Sequence, residues 1–375
     1  MIYLDYAANT PVAKEVLDDF CIENNHYYGN PNSSHKAGIQ AKERMEETTD
    51  NIATLLHVSP SEIIYTSGAS ESNNLAIKGI AYTYRHRGKH MISTCLEHSS
   101  VSGALTALQK QGYEIDLVDI LPNGQVDMEH LKELLREDTI LVSVSYVDSE
   151  LGVVQPIEEI AELIHQMQNC FLHVDATQAV GKIRIDMQKV DLLSFTAHKF
   201  YGINGCGILI RKENVVLEPL IHGGASTTEY RSGTPAVGLA ASIYMALKLA
   251  YDHLEERYQY VSQINKQVKS KLMEYPSLRL NSTDKSIPHV INLSIKGIKG
   301  IDFQQALAEL DVCVSVKSAC SVTNTMSRPV YAITKDKKNA MCSWRISLSH
   351  LTTQDEITTF FKLFDECYKK LTQAK

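Results

Sequence analysis

Between Ile63 and Ile210 the chain alternates short β-branched or apolar runs with amphipathic stretches of helical length, and this rhythm limits its fold more than any other feature. The runs predict strands at 62–66, 90–94, 115–118, 140–144, 171–174, 192–195 and 207–210. The stretches 70–84, 99–111, 128–136 and 157–168 predict helices between them. Alternation on this scale implies an α/β architecture with a largely parallel sheet and right-handed crossovers. After Pro235 the texture changes: a helical pattern over 237–275 leads through Pro276 into a smaller α/β region. That region offers strands near 289–294, 313–316 and 343–348, and helices near 301–310 and 353–371. The expected organisation is a large domain over residues 1–255 and a small C-terminal domain over 256–375, with residues 1–14 packing with the small domain.

Charge and cysteine usage remove several functional classes. Lys and Arg number 37 against 44 Asp and Glu, a formal net charge of −7 among 375 residues. Phosphate-backbone binding needs clustered cations, so no direct nucleic-acid contact is expected. No run reaches the roughly 18 apolar residues of a membrane span, and Met1-Ile2-Tyr3-Leu4-Asp5-Tyr6 carries an acid where a signal peptide needs a basic start. The eight cysteines are scattered without a CxxC pair. A cytoplasmic chain with reduced thiols and no metal centre is therefore expected.

Three segments carry chemistry. In Ser194-Phe195-Thr196-Ala197-His198-Lys199 an apolar strand ends in a turn holding one lysine, followed by Phe200-Tyr201-Gly202. A lone lysine is ordinarily a solvated charge, but partial burial lowers its pKa and makes it an amine nucleophile suited to an aldehyde cofactor. Asp175 closes the strand pattern before Ala176-Thr177-Gln178, where open α/β sheets place ligand-binding groups. It could simply cap a helix. Alternatively, it is the carboxylate that keeps the ring nitrogen of pyridoxal phosphate protonated. Thr66-Ser67-Gly68-Ala69-Ser70-Glu71-Ser72-Asn73-Asn74 follows a strand and opens a helix, so it is either an ordinary N-cap or an anion cradle to which Ser70 adds a hydroxyl. It lacks the GKS/T of a Walker loop, so a phosphate monoester suits it better than a phosphoanhydride.

Three further positions extend the set. His98, in Leu96-Glu97-His98, places an imidazole at another strand end, suited to stacking on a flat cofactor or moving a proton. The Gly-rich loop from Gly223 to Pro235 is dense in hydrogen-bond donors and suits a phosphate at a site or subunit edge. Cys320, in Ser318-Ala319-Cys320-Ser321, heads a polar loop, with Lys317 and Arg328 close enough in sequence to favour its thiolate.

These motifs, in this order, resemble the class V aminotransferase group, and most closely the bacterial cysteine desulfurases of the nitrogen-fixation and housekeeping type. The likeness runs from Tyr3-Leu4-Asp5-Tyr6-Ala7-Ala8-Asn9-Thr10-Pro11 and Gly29-Asn30-Pro31-Asn32-Ser33-Ser34-His35 through Gly68-Ala69-Ser70-Glu71, Glu97-His98 and Val174-Asp175-Ala176-Thr177-Gln178. It continues through Ala197-His198-Lys199 and Arg231-Ser232-Gly233-Thr234 to Ser318-Ala319-Cys320. The resemblance implies a fold-type-I pyridoxal-phosphate enzyme, homodimeric, with its active sites at the dimer interface. Its large domain would hold a mixed, mostly parallel sheet, and its small domain the catalytic-cysteine loop. It implies that Lys199 carries the cofactor, Asp175 faces the ring nitrogen, His98 stacks on the ring and Gln178 bonds the ring hydroxyl. Ala69, Ser70, Thr196 and His198 would hold the phosphate, joined by Thr234 from the second subunit. Arg345 would grip the carboxylate of L-cysteine, and Cys320 would take its sulfur as a persulfide for an acceptor protein, a scaffold or a tRNA-thiolation enzyme.

Two departures stand out. Asp148-Ser149-Glu150-Leu151-Gly152 puts Ser149 where the family's cofactor-facing asparagine stands, and Lys317 replaces the glycine that commonly precedes Ser-Ala-Cys. Selenocysteine lyase, another aminotransferase or β-lyase, and a low-turnover scaffold for sulfur relay are the alternatives. Cys320 favours sulfur transfer, since transamination needs no thiol.

Overall fold

A computed structural model describes residues 1–317 and 325–373. The chain opens with strand β1 (Ile2–Tyr3). Seven strands then build a single sheet: β2 (Ile63–Thr66), β3 (His90–Thr94), β4 (Glu114–Val118), β5 (Thr139–Ser145), β6 (Phe171–Asp175), β7 (Leu192–Thr196) and β8 (Gly207–Arg211). Their order is β2-β8-β7-β6-β5-β3-β4. Only β8 runs against the rest, pairing antiparallel with both β7 and β2. The remaining neighbours are parallel. The sheet is therefore mixed and mostly parallel.

Alternation along the strands sorts side chains into two apolar layers, because successive Cβ atoms leave a strand on opposite faces. Ile63, Ile92, Val142, Leu193 and Ile210 join one cluster with residues of helices Lys36–Leu56, Ile157–Ile164 and Val237–Asp252. Ile64, Met91, Leu141, Leu192 and Leu209 join the other, under helices Ala69–Tyr84 and Ser99–Gln109. Burial on both faces explains why these strands read as continuous apolar runs.

The second region holds β9 (Leu278–Leu280), β10 (Val290–Ile295), β11 (Val312–Cys313) and β12 (Ser343–Ser347). β12, β10 and β9 form an antiparallel sheet, while β11 pairs in parallel with β1. The strand expected at 313–316 thus shrinks to Val312–Cys313 and pairs with the N-terminal segment, touching the small sheet only through a Ser315–Arg345 bridge. The single helical pattern at 237–275 is in fact two helices, Val237–Asp252 and Leu254–Leu272, broken at His253. The break lies where the chain leaves one core for another: Ile243, Ala246 and Leu247 pack on the large sheet, whereas Val261, Ile264 and Val268 pack with the small one.

Trp344 centres the second core, stacked on Phe303 at 5.2 Å between ring centroids and wholly buried. It is the only tryptophan of the chain. Trp344→Ala should cost about 3–5 kcal/mol of stability, the range for emptying a buried aromatic site. Denaturant midpoints followed by circular dichroism check this, and a loss under about 1 kcal/mol would contradict the packing described.

Candidate active site

β2, β3, β5, β6 and β7 all point their carboxyl ends towards one edge of the sheet, and a cavity of about 340 Å³ opens there. Such edges are where open α/β sheets bind ligands, and the volume suits a small organic molecule. Ala7, Ala8, Ala69, Ser70, His98, Ser149, Asp175, Gln178, Thr196, His198, Lys199 and Arg345 all line it. Positions far apart in the sequence thus meet in one place.

Asp175, the last residue of β6, is buried. Its Oδ2 accepts from Asn73 Nδ2 at 2.8 Å and its Oδ1 from the Thr177 backbone N–H at 3.0 Å. Asn73 Nδ2 also donates to Ser100 Oγ at 2.9 Å. Ser100 meets His98 Nδ1 twice, through Oγ at 2.8 Å and its backbone N–H at 3.2 Å. An Nδ1 that accepts the N–H leaves the ring proton on Nε2. Burial pushes the His98 pKa down, the Lys199 charge adding and Asp175 opposing, so the ring is neutral near pH 7.

Lys199 sits in the 3₁₀ turn Ala197–Lys199 immediately after β7. Its Nζ donates to the carbonyls of Ala7 at 3.1 Å and Ala8 at 2.5 Å. Gln178 Nε2 donates to the same Ala7 carbonyl at 2.9 Å.

The expected anion cradle lies at the start of helix Ala69–Tyr84, whose first N–H groups have no helical acceptor. Gly68 precedes it at φ +145°, a conformation open mainly to glycine. Gly207 of β8 passes so close that a Cβ there would stand 2.7 Å from Gly68 Cα. Thr196 Oγ1 donates to the Cys206 carbonyl at 2.9 Å and lies 3.0 Å from His198 Nδ1, which must then donate to it. Burial, followed by the charges of Lys199 and Lys182, pushes the His198 pKa down to about 4. Glu71 would oppose an anion here. Burial alone would raise its pKa, but Ser67 N–H at 2.7 Å and Arg231 Nε at 3.0 Å hold it below the usual range as a paired carboxylate.

Alternation along β12 sends Trp344 and Ile346 into the small core and Arg345 towards the cavity. Arg345 is buried, with Nη2 on Asp5 Oδ1 at 2.9 Å and Nη1 on the Ser149 carbonyl at 2.6 Å, and its Nε has no partner among the described residues. Behind it, burial raises Asp148 to about 7, Glu150 adding, and raises Glu97 to about 8. Near neutrality Glu97 is therefore largely protonated and Asp148 about half so.

Two expected residues stand apart. Thr234 lines a separate cavity of about 130 Å³ that shares Ser67 with the first. Cys320 lies outside the described residues. Of its expected cationic neighbours, Lys317 Nζ donates to the Thr325 carbonyl at 2.5 Å and Arg328 Nη2 to the Glu97 carbonyl at 3.3 Å. Asp5, Asn73 and Lys182 belong to the site's network although the motifs assigned them no role. Asn73 lay within the quoted Ser72-Asn73-Asn74 run, but only its contact with Asp175 reveals its use.

Comparison with known proteins gives the same answer along the whole chain. The sequence profile described as Aminotransferase class-V matches residues 2–360. Cysteine desulfurase IscS of Pseudoalteromonas translucida (strain TAC 125) is 38% identical over 386 residues, covering 99% of this chain and 94% of that protein. A solved structure titled NIFS-LIKE PROTEIN superposes with a TM-score of 0.92 at 33% identity, covering 98% of this chain and 99% of its own. Another, titled SspA in complex with cysteine, has a TM-score of 0.82 at 31% identity, covering 94% and 100%. With the cavity assembled from the family's motifs and a profile match across nearly its full length, the chain belongs to the class V aminotransferase family.

Proposed function

We propose that this protein is a pyridoxal-phosphate-dependent cysteine desulfurase, converting L-cysteine to L-alanine and passing the sulfur through Cys320 to an acceptor protein. The convergence of the Lys199 amine, the buried Asp175 carboxylate and the buried Arg345 guanidinium on one cavity carries this reading. The residues fit the cofactor on independent grounds. Ser145 Oγ and Thr177 Oγ1 are buried on the cavity wall without partners among the described residues, so the wall holds polar groups for a ligand. A helix N-terminus meets the cavity at one end and a carboxylate fixed by two donors lies at its floor, matching a phosphate and a protonated ring.

When bound, pyridoxal phosphate supplies an aldehyde that captures amines and a ring that stores electron density. Lys199 Nζ is the amine, and it moves the proton at the substrate α-carbon. Asp175 keeps the ring nitrogen protonated, while Asn73 and the Thr177 N–H hold its carboxylate in place. Gln178 would meet the ring hydroxyl and His98 would cover the ring. Ala69, Ser70, Thr196 and His198 receive the phosphate. Arg345 has a buried Nε with no partner among the described residues and two other nitrogens already oriented, so it can bind a substrate carboxylate with little rearrangement. Cys320 attacks the substrate sulfur: an S–S bond forms as the C–S bond breaks, and a proton takes the sulfur's place on carbon to give alanine.

The same reading divides the chain near residue 255 and makes the enzyme a cytoplasmic homodimer, with the partner subunit's Thr234 completing this site. One observation supports the dimer: Thr234 lines a neighbouring cavity and not the one that holds Lys199 of its own chain. Free thiols on Cys21, Cys95, Cys170, Cys206, Cys313 and Cys367 suit a reducing compartment.

Incubation with L-cysteine and a reductant should yield alanine and sulfide in equal amounts. Cys320→Ser should still bind the cofactor yet release no sulfide, because an alcohol is a far poorer nucleophile towards sulfur. Sulfide release by that variant at the rate of the unmodified protein would replace sulfur transfer with plain β-elimination.

Ser149 lines the cavity beside the guanidinium that its own carbonyl orients. An asparagine there would supply a donor and an acceptor where serine offers one short hydroxyl. One hydrogen bond to a charged group is worth about 1.5–3 kcal/mol. Ser149→Asn is therefore expected to raise alanine formation on the order of tenfold at matched cofactor occupancy. Equal or lower turnover would show that the serine pocket is retuned instead of weakened.

A further inference from the structure

Lys182 lies beneath the cavity floor and has no part in the roles above. Gly181 precedes it at φ +74°, and a Cβ at that position would stand 2.7 Å from Phe200 Cβ. This left-handed turn brings the chain back under the site, leaving Lys182 only 9% exposed. Lys182 Nζ donates to Gln178 Oε1 at 2.6 Å. Gln178 Nε2 donates to the Ala7 carbonyl at 2.9 Å, and that carbonyl also accepts from Lys199 Nζ at 3.1 Å. Two lysines are thus joined through one carboxamide and one carbonyl.

A carboxamide turned by half a rotation keeps its shape, so its partners decide which end is nitrogen. A lysine ammonium only donates, so it faces the oxygen; a carbonyl only accepts, so it faces the nitrogen. Both contacts select one orientation. The arrangement is costly by itself. Burial pushes the Lys182 pKa down to about 7, the charges of Lys199 and Arg345 adding, and Lys182 in turn depresses His198 and His289. A buried cation among other cations weakens the fold.

We propose that Lys182 is a positioning residue, locking the Gln178 carboxamide with its NH₂ group towards the cavity floor beside Lys199. The proposal rests on the pyridoxal-phosphate reading above, because Gln178 is the group that meets the cofactor ring in that reading. It makes the Lys182 contact matter for cofactor affinity and not for folding.

Apoprotein of the unmodified chain, Lys182→Met, Gln178→Ala and the double variant would be titrated with pyridoxal phosphate, with melting temperatures measured in parallel. Lys182→Met should weaken cofactor binding about tenfold, the scale of one charge-assisted hydrogen bond, while its melting temperature stays level or rises. The double variant should bind no worse than Gln178→Ala, since Lys182 acts through that amide. Should Lys182→Met fail to fold, Lys182→Gln takes its place with the same readouts. Unchanged affinity in the Lys182 variant would overturn the proposal, as would losses that multiply in the double variant or a fall in melting temperature that accounts for them. Failure of the unmodified apoprotein to bind pyridoxal phosphate would instead overturn the cofactor reading, and this proposal with it.

Discussion

The hydrogen bond from Asn73 to the buried Asp175 carboxylate ties the helix that carries the anion cradle to the strand that carries the acid. A charge withdrawn from water must be met by donors or lose its ionisation. Here Asn73 and the Thr177 N–H meet it, and both belong to elements that also shape the cavity. Asn73 spends its second proton on Ser100, which in turn fixes the His98 ring. One amide therefore sets the spacing between the cradle, the acid and the imidazole. Glu97 and Asp148, nearby, each accept from two donors as well, yet burial raises their pKa values to about 8 and about 7.

A similar economy governs the far side of the site. Arg345 comes from the small sheet, yet Asp5 and the Ser149 carbonyl hold it against the large one. Asp5 follows the N-terminal strand, which pairs with Val312–Cys313. The Arg345 guanidinium is thus aimed by three segments separated by most of the chain.

Local periodicity explains which parts of this structure can be read from the sequence. Strands buried on both faces, such as β3 and β5, announce themselves as apolar runs, and Lys199 and Asp175 follow because they end such runs. The break at His253 is not legible: no proline or glycine marks it, and only the change of packing partner separates the two helices. The pairing of β1 with β11 depends on contact across more than 300 residues, so no local signal encodes it. For the same reason Asp5, Asn73 and Lys182 escape notice, since each acts by holding another residue. Gly181-Lys182 carried a faint signal, a glycine turn followed by a lysine, but without the fold it reads as surface.

The central claim is that Lys199 is the amine of this site. Borohydride treatment of the holoprotein fixes a lysine–cofactor link permanently, and peptide mapping by mass spectrometry then locates it. A pyridoxyl group on the peptide containing Lys199, absent after Lys199→Ala, is the result expected. A label on Lys182, the buried lysine beneath the cavity floor, or no label on any lysine of a cofactor-loaded protein, would contradict the account.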